Sequence, residues 1–194
     1  MSYEAYRRPL TPVVRAAYRL EVRGIERVPA DGSLVVVANH ESILDPFILS
    51  ASIPRPIRYL AKSELWNVPL LPWWLASVEA IPVERGKSDV AAIAQAIAAL
   101  EAGEVVGLFP EGGVMRREGP WLRGAARMAL ATGTPILPVR LLETRRALGS
   151  RSFGFPRLAA LIGEPISVSR TAPTPELARE LTDLLQEVVE ELGT

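Results

Sequence analysis

The sequence predicts a single α/β domain: a central mixed, largely parallel sheet flanked by helices and preceded by a short amphipathic N-terminal helix. Three observations lead there. Short apolar runs such as Leu34-Val35-Val36-Val37-Ala38 lack the polar alternation of a half-exposed strand, so they read as strands covered on both faces. Segments with helical spacing separate these runs, and the two patterns alternate along the chain. No repeat or low-complexity linker divides the 194 residues, a length that suits one core. The expected division is an amphipathic segment over residues 1–20 and one domain over 21–194.

In the first segment Leu10, Val13, Val14 and Ala17 recur at helical spacing, with Arg7, Arg8, Arg15 and Arg19 at the other positions. Two readings stay open for it: a helix packed on the domain with a solvated arginine face, or an interfacial helix lying on anionic lipid. A strand around Tyr18–Val22, the turn Ala30-Asp31-Gly32-Ser33 and a strand ending at His40 follow. Asp45-Pro46 reads as a helix N-cap followed by proline at the first helical position. A strand near Ile57–Leu60 then leads to Lys62. Between Leu65 and Leu75, Trp66, Trp73 and Trp74 lie among leucines and prolines. Such stretches are usually core, but three of four tryptophans in so short a span also suit an acyl-chain or membrane contact.

The strand Ala80-Ile81-Pro82-Val83 delivers Glu84 and Arg85. Ser88–Leu100 reads as a helix with Asp89 near its start and Gly103 just past its end. Val105–Phe109 is a buried strand, Gly124–Thr132 a helix, Pro135–Val139 the start of a strand and Leu161–Val168 a late strand. Thr174-Pro175 opens a final helix whose Leu177, Leu181, Leu184, Leu185, Val188, Val189 and Leu192 form one stripe.

Composition excludes several kinds of chemistry. The formal net charge is zero, so no global field draws nucleic acid, and any anion site must be local. With no cysteine and one histidine there is no disulfide or thiolate nucleophile, and no zinc site or other metal centre is expected. The N-terminus lacks the apolar core of a signal peptide. The most apolar stretch, Leu65 to Val83, is interrupted by Asn67, Pro69, Pro72, Glu79 and Pro82, so no membrane span is expected. The chain reads as a soluble domain that can touch membranes.

The residues that carry chemistry begin with Asn39-His40 and Asp45. His40 is the one side chain that titrates unperturbed near neutral pH, and it falls on a strand-to-helix loop at a strand's carboxyl end, where open α/β sheets place their sites. The turn can bring the Asp45 carboxylate back to the imidazole and fix its tautomer. The plain alternative is a capping aspartate beside a histidine that satisfies loop hydrogen bonds. A second group, Phe109-Pro110-Glu111-Gly112, follows a strand and precedes Arg116, Arg117, Arg123 and Arg127; glycines allow close backbone approach, and arginine suits the oxygens of a phosphate. Its alternative is a tight turn with a solvated arginine face. Arg85 is open to the same two readings, as ligand clamp or surface ion pair.

In order, Asn39-His40-x4-Asp45, Ile81-Pro82-Val83-Glu84-Arg85, Phe109-Pro110-Glu111-Gly112 and Pro135-Ile136-Leu137-Pro138-Val139 resemble the glycerolipid acyltransferase superfamily typified by the 1-acyl-glycerol-3-phosphate (lysophosphatidic acid) acyltransferases. The resemblance runs from about Gly24 to Pro165 and takes in Ala61-Lys62-Ser63-Glu64-Leu65, Arg123-Gly124-Ala125-Ala126-Arg127 and Gly163-Glu164-Pro165. It implies His40 as general base and Asp45 as the carboxylate orienting it. It also implies substrate contacts from Arg85, Glu111, Gly112, Gly113, Arg116, Arg117 and Lys62, and matches Pro138 to the proline of the fourth block. Trp66, Trp73 and Trp74 are expected at the acyl chain or membrane. Two positions depart from the pattern. Glu79 stands where the family usually has glycine, six residues before the second-block arginine. Gly113 and Val114 stand where threonine and arginine usually follow Glu-Gly.

The implied activity is acyl transfer from acyl-CoA or an acyl carrier protein to the hydroxyl of lysophosphatidic acid or a related lysophospholipid. No cofactor or nucleic-acid partner is expected, and the expected location is cytoplasmic, peripherally on the inner face of the membrane. A hydrolase is disfavoured, because there is no Gly-x-Ser-x-Gly elbow and no second histidine to serve Ser42. The alternative class is a non-catalytic lipid- or anionic-ligand-binding module on the same fold. The intact His40–Asp45 spacing argues against it; Glu79 and Gly113 favour it.

Overall fold

A computed structural model of the chain describes residues 3–84, 90–114, 120–149 and 152–193. In order, its elements are α1 (Tyr3–Ala17), β1 (Glu21–Arg23), β2 (Leu34–Ala38), α2 (Asp45–Ser52), β3 (Arg58–Lys62), α3 (Leu71–Ser77), β4 (Ile81–Val83), α4 (Val90–Glu101), β5 (Val105–Leu108), α5 (Gly124–Thr132), β6 (Ile136–Leu142), α6 (Thr144–Ala147), β7 (Leu148–Gly149), β8 (Ser152–Phe153), β9 (Ala159–Ile162) and α7 (Pro175–Glu191). Seven strands form one sheet in the order β1-β9-β6-β2-β5-β3-β4, parallel throughout except between β6 and β9. β7 and β8 make a separate antiparallel pair.

β2 shows why the apolar runs carry no alternation. All five of its residues are buried. Leu34, Val36 and Ala38 face the layer built by α1, α2 and α3, whereas Val35 and Val37 face α4, α5 and α7. A strand covered on both sides has no solvent face to mark with polar residues.

Element ends depart from expectation where turns and caps intervene. α1 runs to Ala17 through Pro9 and Pro12, and Arg19 has φ +45, so β1 starts at Glu21 instead of Tyr18. β9 stops at Ile162, and Ile166 makes only an isolated bridge to Ile136. In α7 the Thr174 hydroxyl caps the Leu177 N–H at 3.3 Å, as its sequence suggests. The α7 stripe is narrower than expected: Leu185 and Val189 are buried, but Leu177 and Leu184 are exposed, and the small residues Ala178 and Thr182 take the buried face. Ala178 packs there against Ala126 and Leu130 of α5.

α1 packs on the domain through Leu10, Val14 and Ala17, and two of its arginines reach α2. Arg7 donates to the carbonyls of Ser50 and Ile53 at 3.4 Å each, and Arg15 to that of Ala51 at 3.0 and 3.3 Å. These are the unsatisfied carbonyls at the end of α2, where cations also meet the negative end of the helix dipole. Val14 is buried and Leu10 packs on the core, so neither belongs to a free inserting face. Among the described residues, no helix is long and apolar enough to cross a membrane.

Candidate active site

β2 and β5 lie side by side and parallel, yet the helices that follow them leave on opposite faces, α2 on one and α5 on the other. The crevice between their carboxyl ends is therefore a topological switch point, the place where open sheets bind ligands. The residues that leave these two strands are Asn39-His40 and Phe109-Pro110-Glu111.

Asn39 roots the first loop. Its side-chain amide donates to the Leu141 carbonyl at 3.0 Å and accepts from the Leu141 N–H at 2.7 Å, extending the β2–β6 pairing by one side chain. This role was not read from the sequence; a polar amide directly after a buried strand was the available signal.

Asp45 is not the N-cap that Asp45-Pro46 suggests. Leu44 holds that position, with no side-chain cap, and Asp45 is the first residue of α2. The carboxylate instead turns back over its own loop. Oδ2 accepts from the Glu41 and Ser42 N–H groups at 2.7 Å each and lies 2.8 Å from His40 Nδ1. Asp45 is fully buried, and its Oδ1 has no hydrogen-bond partner among the described residues. An anion in that setting fixes Nδ1 as the protonated nitrogen and leaves Nε2 the basic one. The imidazole keeps 15% of its side-chain surface exposed, and Nε2 has no hydrogen-bond partner among the described residues.

Glu111 does something the sequence did not indicate. Its Oε2 accepts the His40 backbone N–H at 2.7 Å. Burial pushes its carboxyl up to about 7, although the His40 N–H and the nearby imidazole pull the other way; the Asp45 and Glu41 carboxylates add to the rise. Phe109 was also missed as a functional side chain: its ring stacks on the imidazole, with centroids 4.3 Å apart and planes 22° from parallel. Gly112 has φ +75 and Gly113 φ +152, conformations that favour glycine, so the departure at Gly113 goes with a backbone that threonine resists.

Lys62 ends β3 at the same carboxyl edge, paired with Val83 of β4. Arg85, Arg116 and Arg117, together with Ser88 and Asp89, lie outside the described residues. Arg123 reaches instead toward the Pro175 carbonyl at 3.5 Å. Pro138 is buried in β6 opposite Val37, and its carbonyl accepts the Gly163 N–H at 2.9 Å. The tryptophans divide. Trp74 is a core residue, packed on Phe47 and Tyr59 with centroids 4.5 and 5.7 Å away, so it presents no face to a membrane surface. Trp66 is half-buried against the same core, and only Trp73 is largely exposed. No cluster of His, Asp or Glu suited to a metal occurs among the described residues.

A family model described as Acyltransferase matches residues 19–142, which includes the whole crevice. The chain belongs to the acyltransferase family. It is an acyltransferase 30% identical over 176 residues to the 1-acyl-sn-glycerol-3-phosphate acyltransferase of Bacillus subtilis, covering 89% of this chain and 87% of that protein. The correspondingly named protein of Borreliella burgdorferi is 34% identical over 134 residues, 66% of this chain and 53% of that one, so the chain spans about half of it. The crystal structure of the 1-acyl-sn-glycerophosphate (LPA) acyltransferase PlsC from Thermotoga maritima superposes with a TM-score of 0.75 over 98% of this chain and 80% of that chain; at 24% identity it shows the shared fold.

The other departure from the family pattern also has a structural account in this acyltransferase. Glu79 sits at φ +46, a backbone that suits glycine, and its carboxylate pairs with Arg58, which also meets Glu104 at 3.2 Å. The ion pair offsets part of the backbone cost, on a surface turn and not in the crevice.

Proposed function

We propose that this acyltransferase moves a fatty acyl group from a thioester, acyl-CoA or an acyl carrier protein, to the free hydroxyl of lysophosphatidic acid or a related lysophospholipid. The observation that carries the reading is the His40–Asp45 contact at the β2–β5 crevice, with Nε2 left to face a substrate. His40 Nε2 takes the hydroxyl proton as the oxygen attacks the thioester carbonyl, and Asp45 stabilises the imidazolium formed. Collapse of the tetrahedral intermediate breaks the carbon–sulfur bond. The imidazolium returns its proton to the departing thiolate, and the products are an ester and a free thiol. Arg85, Arg116, Arg117 and Lys62 hold the acceptor phosphate, which converts a bimolecular encounter into a positioned one. Gly112 and Gly113 shape the turn beside it. The reaction needs no cofactor.

The names of the relatives support the acceptor class. The acceptor's own chain resides in a bilayer, so this reading places the protein peripherally on the cytoplasmic face. Exposed apolar side chains that suit such contact include Leu70, 88% exposed and held at φ +70, with Trp73, Val68, the loop residue Ile43 and, on the outer side of α1, Val13, whereas Leu10 and Val14 are packed inward. The test is thiol release from labelled acyl-CoA or acyl carrier protein across a panel of lysophospholipids. Release that depends on the acceptor supports the reading. Binding of lipid without thiol release, by a folded protein, would identify a non-catalytic binding module.

A further inference from the structure

Among the described residues, three contacts hold His40, one of them from its own loop. Asp45 fixes Nδ1. Glu111 holds the backbone N–H, and Phe109 covers one face of the ring. The last two arrive together because of strand register. Val37 pairs with Leu108, and His40 and Glu111 each lie three residues beyond their member of that pair (40 − 37 = 111 − 108 = 3). Phe109 is itself backed by the Tyr59 ring, parallel within 3° at 6.3 Å, and the Tyr59 hydroxyl is anchored to the Pro46 carbonyl at 3.0 Å and to the Ser50 hydroxyl at 2.9 Å. The stack therefore rests on two neighbouring elements, β3 and α2. Gly107 makes room for this support: a Cβ there would lie 2.5 Å from Ile57 Cγ2 and 3.1 Å from the Tyr59 ring.

We propose that Phe109 and Glu111 are positioning residues that set the place and ring plane of His40, so that the turn after β5 serves the base and leaves the acceptor to other side chains. This rests on the reading of His40 as the base. Glu111 Oε2 already accepts a hydrogen bond from a backbone donor, and its half-buried carboxyl gives an anionic phosphate no attraction. A small misplacement of a catalytic group costs about 10²-fold in rate without touching substrate affinity. Positioning residues should thus move kcat and leave the acceptor KM alone.

The experiment compares Glu111→Gln, Glu111→Ala, Phe109→Tyr and Phe109→Leu in steady-state acyl transfer, and follows the imidazole by NMR. Because His40 is the chain's only histidine, its ring signals need no assignment among others. The glutamine oxygen still accepts the His40 N–H, and tyrosine still stacks, so Glu111→Gln and Phe109→Tyr should stay within about threefold of wild type in kcat. Glu111→Ala and Phe109→Leu should lose roughly 10- to 100-fold in kcat with the acceptor KM unchanged, and should shift the imidazole titration curve. A Glu111→Gln enzyme with unchanged kcat and a raised acceptor KM would overturn the proposal in favour of direct acceptor contact. So would Glu111→Ala and Phe109→Leu proteins with wild-type kcat and an unmoved imidazole titration. If wild type transfers no acyl group, the proposed function fails, while the NMR comparison still decides whether these residues set the imidazole. Should Glu111→Ala not fold, Phe109→Leu and Glu111→Gln carry the decision.

Discussion

Helix α2 has charged side chains at both of its ends, and the two ends invite comparison. At the carboxyl end Arg7 and Arg15 reach across from α1 to the carbonyls of Ser50, Ala51 and Ile53. At the amino end the Asp45 carboxylate gathers the N–H groups of Glu41 and Ser42. Both placements suit the helix dipole, and both satisfy backbone groups that would otherwise be unpaired. The difference lies in what the carboxylate also holds. The bonds that Arg7 and Arg15 send to α2 end on main-chain oxygens and join two helices. The aspartate also meets a side chain that itself has a second, basic nitrogen at the surface, so the same kind of anchoring holds a proton acceptor in place. A charge near a helix end becomes chemistry when its last contact is a titratable group facing outward.

The largest effects should fall at the amino end. His40→Ala should remove about 10²–10⁴ of the acyl-transfer rate in a protein that still folds, measured as thiol release. Asp45→Ala should lose a comparable factor and also about 1–3 kcal/mol of stability, because it leaves two loop N–H groups without their acceptor; denaturant melts would show it. If Asp45→Ala lowers stability but spares the rate, the two ends of α2 are alike and the aspartate is structural. At the carboxyl end, Arg15→Ala should cost about 1 kcal/mol of stability and leave kcat within twofold. A large loss of rate there would erase the distinction.

Glu111 sharpens the comparison through pH. Its folded carboxyl is raised from 4.5 to about 7, so between those values the native state binds more protons than the unfolded chain. Stability from this group is therefore present at low pH and lost as pH rises through about 7. Glu111→Gln should flatten that part of the profile, so that its melting temperature falls less than the wild type's between pH 5 and pH 8. Parallel profiles would mean that Glu111 ionises in the native state as it does unfolded. The smallest effect is expected at Glu79→Gly, where relief of a φ of +46 and loss of an exposed ion pair nearly cancel at about 1 kcal/mol each, leaving melting temperature and rate close to wild type.

The sequence was most legible where one local pattern carries the information. Leu34–Ala38 shows a doubly covered strand by composition alone, and the five-residue step from His40 to Asp45 is short enough for a turn to bring carboxylate and imidazole together. It was least legible where a partner comes from across the fold. The same glutamate could face an acceptor or the His40 N–H, and only the Val37–Leu108 register decides between them. The arginines of α1 pose the same problem, since a lipid face and an α2-capping face contain identical residues. Trp74 and Trp73 are neighbours in sequence, but on a helix they point apart, one to Phe47 and the core and the other outward. At Asp45 the cap signature was overridden because its carboxylate found three donors in the preceding loop.

The central claim is that His40, held by Asp45, takes the proton of a lysophospholipid hydroxyl during acyl transfer from a thioester. Its most direct test incubates purified wild-type and His40→Ala protein with acyl-CoA and lysophosphatidic acid and follows the diacylated product by mass spectrometry. Wild type should form product in step with thiol release, and a folded His40→Ala protein should form at least 10²-fold less. Product formed by His40→Ala at more than a tenth of the wild-type rate would contradict the account.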